Sequence, residues 1–126
     1  MILTRTTMTE ADMSTTTQDV PGLTRTDLQR HDISVAGREV IQNRVDISSD
    51  APLIRHKHPG EEVIYVLEGS LEYQIDGQPP RTVSAGEALM VPAETVHAVR
   101  NVAGGNAAEL ATYIVEKGEP LFVVVE

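Results

Sequence analysis

The chain has 126 residues and a formal net charge of -9, from 19 acidic and 10 basic side chains. This length suits one domain with a modest core, and the negative charge disfavours nucleic acid as a partner because it repels phosphate backbones. Because the chain has no cysteine, a disulfide framework, a zinc ribbon and a thiol nucleophile are excluded, and a metal site must use histidine and carboxylate ligands.

The first twenty residues are rich in threonine and serine with scattered acidic side chains, a composition typical of a flexible tail. This stretch lacks the apolar segment of a secretory signal, so we expect a cytoplasmic protein. No apolar run in the chain exceeds five residues, far fewer than the roughly 20 that a membrane-spanning helix needs. We therefore predict a flexible tail over residues 1–20, a single domain over residues 21–126 and no membrane association.

From residue 35 onward the sequence predicts strands, since no window of helical length shows a convincing helical period. Residues 71–75 alternate apolar and polar side chains, the pattern of a half-buried strand, and the Asp-Gly pair that follows supplies a hairpin turn. Further strands are predicted at residues 39–47, 53–58, 62–67, 88–91, 95–101, 109–115 and 121–125. Many short strands separated by glycine and proline turns favour an all-β sandwich or small barrel.

Two histidines one residue apart stand out in the segment RHKHPGEEVIYVLEGS, residues 55–70. Side chains two apart in a strand point to the same face, so His56 and His58 can share one ion. Glu62 begins the next strand and can reach the same point, and a closing barrel would bring His97 opposite. Three imidazoles and one carboxylate predict a metal site, although a buried polar cluster without metal is an alternative.

These residues fall on two motifs through which the chain resembles the cupins, a family of small β-barrels of the jelly-roll type. For the first motif, G-x5-H-x-H-x3-E-x6-G, the matching residues are His56, His58, Glu62 and Gly69. For the second motif, G-x5-P-x-G-x2-H-x3-N, the matching residues are Gly86, Pro92, His97 and Asn101.

Eight of the ten motif positions match, and the two departures, Asp50 and Glu94, replace glycines at turns. Asp is a tolerated turn former, whereas Glu94 must avoid a positive φ or bear some strain. The short segment between the motifs is similar to that of compact single-domain cupins of bacteria. The resemblance implies an all-β cupin jelly-roll β-barrel with a metal site, and a homodimer, but it selects no reaction because the fold serves many.

The ligand set itself constrains the cofactor. Three neutral imidazoles and Glu62 accept a single divalent transition metal ion: Fe, Mn, Ni, Cu or Zn. Four protein ligands on a six-coordinate ion leave two positions open for substrate or dioxygen.

A pocket beside the metal is predicted to involve six further residues: Gln42, Arg44, Tyr73, Met90, Val99 and Phe122. With only four aromatic side chains in the chain, a small aliphatic or polar ligand fits this pocket better than a flat aromatic one. His31 matches neither motif and is predicted to be a surface or tail residue.

Two classes of function fit these features. The first is an enzyme, a dioxygenase-like mononuclear metal oxidoreductase acting on a small organic molecule, in which Glu62 could also act as a base. The second is a module that binds a small organic acid or sugar derivative without turnover, and non-redox isomerase or lyase chemistry lies between them. The segments 23–33 and 121–125 could each pair with a second subunit, which also favours a homodimer.

Overall fold

The computed structural model describes residues 20–126, and within this range no helix is long and apolar enough to cross a membrane. The strands of this range are β1 (Leu23–Asp32), β2 (Arg38–Ile47), β3 (His56–Lys57), β4 (Gly60–Glu68), β5 (Ser70–Ile75), β6 (Arg81–Ser84), β7 (Ala88–Val91), β8 (His97–Asn101), β9 (Ala107–Glu116) and β10 (Val123–Val124). The flexible tail that the sequence predicts over residues 1–20 falls almost entirely outside the described residues and stays a prediction.

The strands form two antiparallel sheets of five strands each. One sheet has the order β1-β2-β9-β4-β7 and the other has the order β10-β3-β8-β5-β6. Most neighbours within a sheet are distant along the chain, so the chain passes repeatedly from one sheet to the other, as in a jelly roll. The predicted all-β jelly-roll architecture is confirmed.

The core lies between the two sheets and is built from alternate residues of each strand. Burial alternates at every position of β2, which turns Ile41, Val45 and Ile47 inward, and it alternates in the same way along β5. Val45 and Ile47 of one sheet pack in a single cluster with Leu71 and Tyr73 of the other. Since a fully buried aliphatic side chain contributes about 1.5–3 kcal/mol, this cluster holds the sheets face to face.

Strand β1 is the main element that the sequence analysis misses. It pairs antiparallel with β2, with a bulge between Asp27 and Gln29, and most of its side chains are exposed. An edge strand with so few buried positions lacks the apolar alternation by which a strand is recognised. Strand β6, which pairs with β5, is likewise not among the predicted strands.

The two segments expected to pair with a second subunit, 23–33 and 121–125, each pair on one side with a strand of the same chain, through β1 and β10. Both strands lie at the edge of a sheet, so pairing with a second subunit stays a prediction. Strand β10 and its partner β3 have only two residues each, shorter than predicted. Pro59 follows soon after β3, and because proline has no N–H it cannot continue the ladder.

Two pairings set the position of the predicted metal ligands. His56 of β3 lies directly opposite His97 of β8. Strand β4 begins at Gly60, where a Cβ atom would lie 2.0 Å from the carbonyl oxygen of Ile114. Only glycine permits this close approach of β4 to β9. Glu62 follows two residues after Gly60 along β4 and also faces inward.

Candidate metal centre

Three histidines form a buried cluster between the sheets: His56 of β3, His58 in the short link between β3 and β4, and His97 at the start of β8. His56, His58 and His97 each offer one ring nitrogen, and these three atoms all lie within 4.8 Å of one another. The ring centroids are separated by 4.3 Å for His56 and His97, 4.9 Å for His56 and His58, and 5.1 Å for His58 and His97. A single ion at the centre of this cluster would be within reach of all three rings.

The orientation of each ring is fixed by a hydrogen bond from Nδ1 to a backbone carbonyl. The distances are 2.8 Å from His56 to Ile54, 2.6 Å from His58 to Leu121, and 2.9 Å from His97 to Thr95. A proton on Nδ1 leaves the Nε2 lone pair available, and metal-binding histidines commonly have such a second partner. The donor set therefore fits a divalent transition metal ion.

Glu62 completes this arrangement from β4. Its Oε1 lies 3.1 Å from His97 Nε2 and 3.2 Å from His58 Nε2, and all three side chains are almost fully buried. The contact to His97 has hydrogen-bond geometry, whereas His58 Nε2 has no hydrogen-bond partner among the described residues. Buried polar atoms are normally satisfied, and a cation between Glu62 and the rings would satisfy this one.

In the absence of a cation, burial and mutual interactions set the pKa values of His56, His97 and Glu62. Burial, together with repulsion from the other two imidazoles, lowers the pKa of His56 to about 3. Burial also lowers the pKa of His97, but the hydrogen bond and charge of Glu62 outweigh this and the net pKa is raised. The imidazole partners outweigh burial at Glu62 too and hold its pKa well below the usual range. Without a cation, His97 and Glu62 thus stabilise each other's charged forms across a position that a metal ion could take.

A cavity of about 490 Å³, including its open mouth, adjoins the cluster. Its apolar wall consists of Val20, Leu23, Val45, Ile47, Ile54 and Val99. The other lining residues are Arg25, His56, Glu62, Tyr73, His97, Glu109, Tyr113 and Phe122. Three of the six predicted pocket residues, Tyr73, Val99 and Phe122, therefore line the cavity.

The other three predicted pocket residues lie outside it, and their assignment is corrected. Gln42 and Arg44 occupy the outer face of β2, where Gln42 bonds Thr112 and Arg44 pairs with Asp46. Met90 is 52% exposed. Strand alternation separates two faces but does not say which one is interior, and these three residues have the outward parity.

Eight cavity residues are not among the predicted site residues: five of the apolar wall and, outside that wall, Arg25, Glu109 and Tyr113. Glu109 is buried and its Oε1 accepts a 2.6 Å hydrogen bond from the hydroxyl of Tyr73. Burial and the nearby charge of Glu62 raise the pKa of Glu109 to about 8. A signal for Glu109 was available, because it shares the parity of the small and apolar residues of β9.

The turn before β8 departs from the motif and adopts the conformation that glycine would favour. Glu94 has a φ of 60°, the only positive value at a non-glycine residue in the range 20–126. Its backbone N–H donates to the carbonyl of His58 at 3.0 Å. The strained turn therefore links the segment carrying His58 to the strand that begins at His97.

His31, by contrast, is exposed on β1, as predicted.

Comparison with known proteins identifies the family. The profile of the cupin domain matches residues 44–115, more than half of the chain. The chain belongs to the cupin family. Among curated proteins, this cupin is 38% identical over 45 residues to the dimethylsulfoniopropionate lyase DddQ of Ruegeria pomeroyi, a match that spans 36% of this chain and 22% of the lyase. The chain thus spans about a fifth of that curated relative.

Solved cupin structures are similar over larger parts of the chain. An oxalate oxidase in complex with glycolate is 27% identical, with a TM-score of 0.64 and coverage of 81% of this chain and 54% of that one. The polyketide cyclase RemF from Streptomyces resistomycificus is 25% identical, with a TM-score of 0.65 and coverage of 85% and 73%. The DddQ structure is 24% identical, with a TM-score of 0.61 and coverage of 68% and 43%. The fold is shared by proteins of different chemistry.

Proposed function

We infer that this cupin holds one divalent transition metal ion through the Nε2 atoms of His56, His58 and His97 and the carboxylate of Glu62. The convergence of three buried rings, each with its Nδ1 bonded to a backbone carbonyl, carries this inference. A polar cluster without metal would leave His58 Nε2 buried beside a carboxylate with no hydrogen bond between them. Fe, Mn, Ni, Cu and Zn all suit this ligand set.

The site supports best a mononuclear metal-dependent oxidoreductase, dioxygenase-like, acting on a small organic molecule. A bound ion would supply Lewis acidity and, for a redox-active metal, electron transfer, with two coordination positions left open by the protein. The likeness to oxalate oxidase supports redox chemistry on a small molecule. The cavity beside the cluster is lined by His56, Glu62 and His97, so a small molecule that enters it meets three of the residues proposed to hold the ion.

The chain's own residues have separable roles in this proposal. The three histidines orient the site, since their rings are fixed by backbone carbonyls. The Glu62 carboxylate lies within hydrogen-bond distance of His97 Nε2, and it is the proposed base when it is not fully engaged with the ion. The apolar wall excludes water, which strengthens electrostatic interactions inside the cavity.

A non-redox lyase or isomerase is the second candidate. The observation that favours it is the 38% identity to DMSP lyase over 45 residues. A third candidate, binding of a small organic acid or sugar derivative without turnover, needs the same metal and the same cavity. The three candidate functions therefore share one site architecture. They differ in whether the ligand is converted to a product and whether dioxygen is consumed.

Dioxygen uptake by metal-reconstituted protein separates these candidates. The protein is loaded in turn with Fe, Mn, Ni, Cu and Zn and assayed with small oxo acids and diketones, with product analysis on every sample. Oxygen consumption that disappears in His58→Ala and persists in His31→Ala would support the oxidoreductase. Product without oxygen consumption would favour the lyase or isomerase, and saturable binding without product would favour the binding module.

We further propose that the chain forms a homodimer and is located in the cytoplasm. Two features support association: β1 is an edge strand of its sheet, and the outer face of β4 and β7 exposes apolar side chains. Those side chains are Val63, Tyr65, Leu67 and Met90. Sedimentation at micromolar concentration is expected to give the mass of two chains, and a monomer would contradict the dimer.

A further inference from the structure

The three histidines of the metal centre differ in where their backbone partners come from. His56 and His97 each donate from Nδ1 to a carbonyl two residues earlier in their own segment. His58 instead donates to the carbonyl of Leu121, 63 residues further along the chain, at 2.6 Å. The orientation of this one ring therefore depends on the C-terminal segment, which we define as residues 121–125.

The C-terminal segment also contacts a second histidine, through Phe122. The ring of Phe122 stacks on His56, with the centroids 4.4 Å apart and an interplanar angle of 19°. Phe122 lines the cavity and packs with Val20 and Leu23 of the apolar wall. The segment thus contacts two of the three histidines, one through a backbone carbonyl and one through an aromatic ring, and forms part of the cavity wall.

A short edge strand attaches the C-terminal segment to the rest of the fold. Strand β10 has two residues and lies at the edge of its sheet, where it pairs with β3. The N–H of Val125 extends this pairing by donating to the carbonyl of Arg55 at 2.9 Å. Leu121 packs against a small cluster that includes Tyr113. Short elements at an edge open locally at a lower free energy than central strands do.

Undocking of the C-terminal segment would change the metal-binding form of His58. A neutral imidazole has one ring proton, and the carbonyl of Leu121 keeps that proton on Nδ1 and the Nε2 lone pair free for an ion. Loss of such a partner typically weakens metal binding by 10–100-fold. Because linkage between two equilibria is reciprocal, an ion that binds better to the docked form must favour docking by the same factor.

We propose that docking of the C-terminal segment and metal binding are coupled: the segment positions His58 for the ion, and the ion in turn holds the segment against β3. This inference rests on the proposed function and names a conformational control of the same metal centre. Leu121 and Phe122 are positioning residues in it, since they act through His58 and His56.

Hydrogen exchange of wild-type protein, free of metal and loaded with zinc, tests the coupling. Zinc suits the ligand set and is diamagnetic, so NMR can follow the amide of Val125. Zinc is expected to slow the exchange of this amide about tenfold or more. The control is β6, at the opposite edge of the same sheet, where amides that exchange by local opening should keep their rates. No slowing at Val125, or equal slowing at both edges, would overturn the proposal.

The variant Val125→Pro tests the coupling in the other direction, with Val125→Ala as its matched control. Proline has no N–H and removes the hydrogen bond to Arg55, whereas alanine retains it. Val125→Pro is expected to weaken zinc binding about tenfold or more in a chelator competition, and Val125→Ala should bind zinc with close to wild-type affinity. Wild-type zinc affinity in folded Val125→Pro would overturn the proposal. If Val125→Pro does not fold, the exchange measurement on wild type decides.

Failure of the proposed function gives a different result from failure of this inference. If elemental analysis finds no zinc in wild-type protein after reconstitution, the metal centre itself is wrong and the inference falls with it. If wild type retains zinc and His58→Ala loses it, but zinc does not slow exchange at Val125, only the coupling is wrong. Metal content and circular dichroism of each variant show whether it has folded and kept the ion.

Discussion

The hydrogen bond between Tyr73 and Glu109 permits a quantitative test of the cavity wall. The hydroxyl of Tyr73 donates to Glu109 at 2.6 Å, and the two residues are 1% and 5% exposed. Tyr73→Phe removes one oxygen and leaves the ring in place, so it creates no appreciable cavity. A buried acceptor that loses its partner costs about 1–3 kcal/mol, and we predict a loss of unfolding free energy in that range.

The same substitution should have a larger effect at alkaline pH. The pKa of Glu109 is raised to about 8, so the stability contributed by its protonation is fully present below the unfolded value and is lost as pH rises through 8. Near pH 6 the hydroxyl bonds a neutral acid, whereas near pH 9 it bonds a carboxylate, and charge-assisted hydrogen bonds are roughly twice as strong. The destabilisation by Tyr73→Phe should therefore increase between these two pH values.

Urea unfolding at both pH values measures this effect, with Tyr65→Phe as the matched control. Tyr65 is 45% exposed on the outer face of β4, so its substitution should change stability by less than about 0.5 kcal/mol. The double variant Tyr73→Phe with Glu109→Gln should show that the two single effects are not additive. Equal unfolding free energies for wild type and Tyr73→Phe at both pH values would refute the reasoning.

Three further predictions concern the metal site and the turns that support it. Metal affinity, measured by chelator competition, should decline as pH falls, because protons compete with the metal for the imidazoles. The decline should begin above pH 6.5, the approximate pKa of an ordinary histidine, because the pKa of His97 is raised. An affinity that does not change with pH would contradict proton competition at His97. Gly60→Ala should lower the free energy of unfolding in urea by about 3 kcal/mol or more, since the new Cβ would meet the Ile114 carbonyl at 2.0 Å. A loss below about 1 kcal/mol would show that β4 and β9 can move apart at little cost in stability. Glu94→Gly should raise the thermal midpoint, with a gain of about 0.5–1 kcal/mol, by removing the positive-φ strain; a lower midpoint would show that the side chain of Glu94 stabilises the turn.

The parts of this molecule that follow from sequence are those encoded by local spacing. The alternation along β2 and β5 is imposed by a core on one face, so apolar and polar side chains reveal the strand directly. The two histidines of the first motif are two apart, and that spacing alone puts both on one face of an extended chain. The approach of His97 to the other two histidines requires the strands to close into a barrel. The sequence does not specify this closure, which is expected only from the resemblance to the cupins.

The parts that do not follow from sequence depend on which face is interior and on distant contacts. Gln42 and Arg44 have the outward parity of β2, and only packing against the second sheet decides which parity is outward. Arg25 comes from an edge strand with few buried residues, so nothing local distinguishes it from a surface arginine. Glu109 could have been noticed as an acid on the buried parity of β9, but its partner Tyr73 lies 36 residues away.

The metal content of reconstituted protein tests the central claim most directly. Elemental analysis of wild type, His58→Ala and His31→Ala, all exposed to the same divalent ions and desalted, should find about one ion per chain in wild type and in His31→Ala. The His58→Ala variant should retain almost none, because it loses one of the three converging ring nitrogens. Absence of metal from wild type, or equal retention by His58→Ala and His31→Ala, would contradict the assignment of this histidine cluster as a metal centre.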